Sequence, residues 1–158
     1  MAKNIFITFC FLIILIPFVN AQTDDSAFNA FWSKFKNAIL LDDAETAADL
    51  TNFPYFVYGN IRNDNKTMEY DRNGFIANFK AMFLFKEHID KIKYNQEVTI
   101  KGEDINVVLK LWKDYNKDYI LSIIYDFVEL GMGYDDYTFS KINGEYKLKQ
   151  LIMKDKKN

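Results

Sequence analysis

YTFSKINGEYKLKQLIM, residues 137–153, holds Asn143-Gly144 between two runs in which apolar and polar residues alternate. Both turn residues tolerate positive φ, so the pair predicts a type I′ turn and a two-residue hairpin loop. That loop sets Ile142 against Glu145. Counting outward then puts Phe139 against Leu148 and Tyr137 against Gln150 on one face, with Ser140 against Lys147 and Thr138 against Lys149 on the other. One face is mostly apolar and the other polar, as a half-buried hairpin requires.

Upstream of the hairpin the period stays at two. In 119–128, Tyr119, Leu121, Ile123, Tyr125 and Phe127 share one face, while Ile120, Ser122, Ile124, Asp126 and Val128 share the other. A strand apolar on both faces sits centrally, covered on each side. In 105–112, Ile105, Val107, Leu109 and Leu111 alternate with Asn106, Val108, Lys110 and Trp112; antiparallel pairing in phase with 119–128 places Asp126 opposite Asn106. Val98-Thr99-Ile100 reads as a brief strand, and Gly131-Met132-Gly133 as a bend or bulge between strands.

Further upstream the period changes to that of a helix. Phe75, Ile76, Phe79, Met82, Phe83 and Ile89 form the stripe of a helix over about 72–92, capped by Asp71. Phe28, Phe31, Trp32, Phe35 and Ile39 predict an amphipathic helix over about 26–40, with N-cap oxygens from Asp24-Asp25-Ser26. Asp42-Asp43 caps a shorter helix with a small-residue face (Ala44, Ala47, Ala48). Pro54 drives Phe53 out of the α region and ends that helix near Leu50 or Thr51. Tyr55–Tyr58 then reads as a short strand, with a turn at 63–66 and a return over Thr67–Tyr70. Asn65-Lys66-Thr67 fits a glycosylation sequon. The order is helix, helix, short hairpin, helix, then about four antiparallel strands, which is one α+β domain.

Residues 1–21, MAKNIFITFCFLIILIPFVNA, read as a signal peptide: Lys3, an apolar run from Ile5 to Val19, and small residues before Gln22. The run is shorter than the roughly 20 residues a membrane span needs, so no stable membrane insertion is expected. The expectation is an exported protein, periplasmic or secreted, with residues 22–158 as its single domain. Cys10 is the only cysteine and leaves with the signal. Disulfide scaffolds, thiol catalysis and cysteine-ligated metals are thereby excluded. Without Lys3, the 20 basic residues become 19 against 22 acidic ones, a net charge of about −3. No basic stripe appears outside the tail Lys154-Asp155-Lys156-Lys157, so no nucleic-acid partner is expected.

FWSKFKNAILLDDAETAADLTNFPYFV, a helix-bearing middle, YILSIIYDFVE and YTFSKINGEYKLKQLIM together resemble the nuclear-transport-factor-2-like (cystatin-like) superfamily. Within it, the chain is similar to small exported bacterial members of unassigned function. The resemblance implies a cone: three N-terminal helices packed in a strongly curved antiparallel sheet, with a hydrophobic cavity at the wide mouth. It also implies homodimers through the outer sheet face. Members include isomerases and dehydratases as well as proteins that only bind, and no catalytic motif of theirs lies on this chain.

From the residues themselves, Asp126 is a weak candidate for a general base, since it interrupts an apolar strand face. Set against that is a solvated carboxylate hydrogen-bonded to Asn106. Tyr55, Tyr58, Phe31, Phe35, Phe79, Phe83 and Tyr125 are candidates for a ligand pocket, against plain core packing. Trp112 and Lys110 share a face and are candidates for an interface. His88 has no partners for a metal site or a nucleophilic triad, and Asp135-Asp136, as adjacent strand residues, point to opposite faces. No cofactor or metal motif appears. The expected role is non-enzymatic, binding a small apolar or amphipathic ligand or a protein partner. The alternatives are a cavity enzyme moving protons with Asp126 and Tyr55 or Tyr58, or a structural envelope component with a filled cone.

Overall fold

The computed structural model describes residues 23–61, 64–127 and 131–156; the expected signal peptide and the start of the expected 63–66 turn lie outside the described residues. Helices α1 (Thr23–Leu40) and α2 (Ala44–Asp49) lead into strands β1 (Thr51–Ile61) and β2 (Asp64–Tyr70). Helix α3 (Arg72–Met82) follows, then a 3-10 turn (Lys86–Lys91). Strands β3 (Glu97–Lys101), β4 (Ile105–Lys113), β5 (Tyr119–Phe127), β6 (Gly131–Ile142) and β7 (Glu145–Lys156) complete the chain's order. They form one curved sheet in the order β2-β1-β7-β6-β5-β4-β3. The fold is α+β, as the sequence predicts.

Three expectations need correction. Among the described residues α1 and α2 precede the sheet and α3 lies between β2 and β3, in the predicted order of elements but not as a third N-terminal helix, and it stops at Met82 rather than near residue 92. Met82, Phe83 and Phe85 are all buried, as are Ile89 and Ile92. The chain leaves the helix after Met82 and packs these residues from a loop and a 3-10 turn. The sheet is also not wholly antiparallel, because β1 runs parallel to β7. Docking there covers edges that both strands would otherwise expose. Finally, β1 begins at Thr51, ahead of the expected start at Tyr55. Its pairing with β7 is irregular between Thr51 and Phe56, around Pro54, which has no N–H to give to a ladder.

The hairpin turn is as expected, with φ of 51° at Asn143 and 88° at Gly144. Ile142 pairs with Glu145, Ser140 with Lys147 and Phe139 with Leu148. Beyond Phe139 the register departs from a straight count, since Thr138 pairs with Gln150 and Tyr137 with Leu151. Lys149 is the extra residue of a β-bulge. In a straight count Gln150 would face the core beside Tyr137. With the bulge Leu151 does, at 3% exposure. Gly131 and Gly133, expected in a bend, instead pair within β6 opposite Phe127 and Tyr125.

The helices cover one face of the sheet with rings. Phe28 stacks on Tyr119 at 3.4 Å between centroids, Phe31 meets Phe139 at 5.7 Å, and Phe83 stacks on Tyr137 at 5.6 Å. Asp25 does not cap α1, which starts earlier. Its carboxylate accepts from the Tyr119 hydroxyl and from Lys113 Nζ, tying the helix to β4 and β5. Asp43 and Asp71 do cap their helices, accepting from the N–H groups of Thr46 and Gly74 at 3.0 and 2.7 Å. Arg72 joins α2 to α3 by pairing with Glu45 and Asp49 at 2.6 and 2.8 Å.

Candidate functional site

Strand alternation decides which side chains meet inside. On β5, β6 and β7 the inner set is Tyr125, Asp135, Tyr137, Leu151 and Met153, and it is the Lys149 bulge that gives the last two their place. Where α3 ends, Asn78, Ala81, Met82 and Leu84 approach this set, with Val57 of β1 and Met68 and Tyr70 of β2 closing the remaining side. They enclose a pocket of about 240 Å³. Val57, Met82, Tyr137 and Leu151 are buried in it, whereas Leu84 and Met68, 77% and 41% exposed, form an apolar rim.

Asp135 is the pocket's carboxylate. Burial raises its pKa, the hydrogen bond from Tyr125 pulls it back, and the neighbouring Asp136 raises it again, leaving it at about 6. Tyr125 Oη donates to Asp135 Oδ2 at 3.1 Å, and Tyr137 Oη donates to the Met82 carbonyl. Burial first, and Asp135's charge second, push the phenols of Tyr55, Tyr125 and Tyr137 up, so all three stay protonated. Tyr55 lies beneath this group with its hydroxyl buried and no protein partner among the described residues. A half-buried carboxylate ringed by phenols in an otherwise apolar pocket can hold a polar head while the walls hold an apolar body. It can also take or give a proton near neutral pH.

The residues singled out in the sequence divide among several places. Tyr125 lines the pocket, and Tyr55 packs edge-on against Phe75 just below it. Tyr58 is exposed on the opposite face of β1, pairing with Ile152. Phe31, Phe35, Phe79 and Phe83 are core residues, with Phe35–Phe83 and Phe79–Phe83 centroids 5.7 and 5.1 Å apart. They fill the space between helices and sheet, so the pocket lies beyond them and not among them. Phe79 and Phe83 also flank a shallower cleft with Asp42 and Lys86.

Asp126 does stand opposite Asn106, as the strand phase predicts, but it is exposed and faces away from the pocket. Parity along β5 sets it on the side opposite Tyr125, so the structure does not bring it together with Tyr55. Trp112 and Lys110 share that outer face. Trp112 Nε1 donates to Ser122 Oγ at 3.1 Å, and Ser122 donates to Asp136 Oδ1 at 2.5 Å. His88 sits in the 3-10 turn, its Nε2 3.6 Å from Glu87. Asp135 and Asp136 do point to opposite faces. The adjacency that argues against a cation site there also hides the pocket carboxylate, although counting by twos from Phe139 through Tyr137 reaches Asp135.

No protein-family model matches the chain, and no curated protein does either. Several solved structures are similar to it. An NTF-2 like protein of unknown function from Silicibacter pomeroyi is 12% identical, over 85% of this chain and 97% of that one, at a TM-score of 0.40. A protein with a cystatin-like fold from Nostoc punctiforme is 12% identical over 85% and 92%, at 0.43. A candidate ketosteroid isomerase from Shewanella frigidimarina is 11% identical over 83% and 97%, at 0.44. The first two carry the labels of the superfamily that the sequence resembles. At such identities and scores the likeness carries no argument about chemistry.

Proposed function

We propose that this is an exported protein that binds a small amphipathic molecule without transforming it. The observation that supports this best is the pocket beside α3: apolar walls, an apolar rim at Leu84 and Met68, and one polar focus where Tyr125 meets Asp135. Export rests on residues 1–21, and self-association through the outer face on Trp112 and Lys110. Native mass spectrometry of the protein, purified gently from its own compartment, tests the reading. A mass excess that vanishes on denaturation and is lost in a Leu151→Trp variant is the expected result. A clean mass for the wild-type chain, with no uptake from a small-molecule extract, would remove it. A dimer peak that disappears in Trp112→Lys is expected if the outer face pairs.

A second reading has its own support. Asp135, held at about 6 beside phenol donors, suits a base for proton transfer in a cavity enzyme. Asp135, and not Asp126, would then take the proton, while a phenol would hydrogen-bond the oxygen that gains charge. The retained molecule, returned to the protein in heavy water, would exchange a carbon-bound hydrogen faster as pH rises through 6. Exchange at the same rate with Asp135→Asn would exclude it.

A further inference from the structure

We propose that the pocket selects a small organic cation, a protonated primary amine on an apolar body, with its ammonium group set against Asp135. This rests on the reading of the pocket as a binding site and adds the charge of what it takes.

Among the described residues the carboxylate has no cation of its own. The groups acting on it are Tyr125 and Asp136, with no lysine or arginine among them. From the elements packed around it, Tyr125 comes from β5, Tyr55 from β1, Tyr70 from β2 and Tyr137 from β6 itself; the lining residues of α3 and β7 are uncharged. Charged groups taken out of water are ordinarily paired, so a ligand cation completes this one.

The hydrogen-bond inventory points the same way. Tyr125 donates to Asp135, Tyr137 to the Met82 carbonyl, Tyr70 to Met68 Sδ at 3.5 Å, and Asn78 Nδ2 to the Gly74 carbonyl at 2.8 Å. The pocket's donors are thus turned toward protein acceptors. What stays open is acceptor capacity on Asp135, which receives one hydrogen bond among the described residues where a carboxylate has about four sites. A ligand that brings donors fits this arrangement. A carboxylate or phosphate head meets a negative charge with nothing beside it to offset it, and a carbonyl finds the donors of the lining residues Tyr125, Tyr137, Tyr70 and Asn78 committed, with the Tyr55 hydroxyl buried below the pocket.

The walls suit a cation as well. Tyr125 and Tyr137 line the pocket, and aromatic rings near a bound cation attract it. Met68, Met82 and Met153 supply polarisable thioethers that adapt to the apolar body. The volume of about 240 Å³ accommodates on the order of eight water-sized groups, the scale of a short alkylamine.

The test uses n-hexylamine, n-hexanol and n-hexanoate with the full chain as its host processes it, labelled at the methionine methyls. Met68, Met82 and Met153 line the pocket, while Met132, opposite Asp126, belongs to the outer face and serves as the internal control. Hexylamine is expected to shift the three pocket methyls and leave Met132 in place. At pH 7.5 it should bind at least about 10-fold tighter than hexanol, an advantage lost by pH 4.5 as Asp135 takes up a proton. Asp135→Asn should erase the preference for amine while keeping whatever affinity hexanol has. Equal binding of hexylamine and hexanol, or tighter binding of hexanoate, overturns the cation assignment and leaves the binding pocket standing. If no probe moves the three methyls, both readings fall. Should Asp135→Asn not fold, the wild-type pH series decides between the same outcomes.

Discussion

Asp135, Tyr137 and Tyr55 differ in what they contribute to stability. Asp135 is easier to protonate folded than unfolded, with its pKa raised from 3.8 to about 6. The folded state therefore binds the proton more tightly. Its contribution is full below pH 4, falls between pH 4 and 6, and is absent above. Asp135→Asn, which removes the charge, is expected to raise stability at pH 7 by about 1–2 kcal/mol after allowing for partial solvation, with little gain at pH 4. Urea melts at both values check this. Tyr137→Phe strands the Met82 carbonyl and should cost about 1–2 kcal/mol, whereas Tyr55→Phe removes a hydroxyl without a protein partner and should be neutral or stabilising. At this scale the sequence is only half legible. Asp126 draws the eye because it interrupts an apolar run. Asp135 lies inside a polar Asp-Asp pair, and only the face count from Phe139 gives it meaning.

Among the elements, the Lys149 bulge has the largest effect on the site. Deleting Lys149 removes the bulge but leaves Thr138 opposite Gln150 and Tyr137 opposite Leu151, so Leu151 and Met153 keep their inward places. The deletion should therefore cost only about 1 kcal/mol in lost local twist, read as a small drop in thermal midpoint; a loss of about 3 kcal/mol or more, the order of burying Gln150 without partners, would overturn this register. Gly144→Ala, at φ of 88° with open space around its Cα, meets only backbone strain and should cost about 1 kcal/mol. Strand positions are readable because alternation and the Asn143-Gly144 turn are local signals. The bulge is not, since polar Lys149 and Gln150 fit either register, and tertiary packing of Leu151 chooses between them. The early stop of α3 is no more legible: its residues keep a helical period past Met82, and tertiary packing of Phe83 and Phe85 against Tyr137 takes the chain out of the helix.

For the whole molecule, the ring core sets the ceiling on tolerance. Phe35 is fully buried and touches Phe31, Trp32, Phe83 and Phe139. Phe35→Ala should cost about 3–5 kcal/mol, enough to leave a marginal domain largely unfolded by circular dichroism. The α+β class follows from element order alone. The parallel docking of β1 on β7 does not, because no local signal joins residues so far apart. That pairing also governs when the protein can become itself. The β1–β2 hairpin and the β3–β6 meander share no strand contact until β7 slots between them. A chain emerging from a ribosome or a membrane pore therefore carries two sheet segments with no strand pairing between them for nearly its whole length, and that seam closes only after the Asn143-Gly144 turn has cleared. Folding is consequently slow to commit, with long-range closure preceding its reward. Such a chain stays open for threading until almost all of it has passed through.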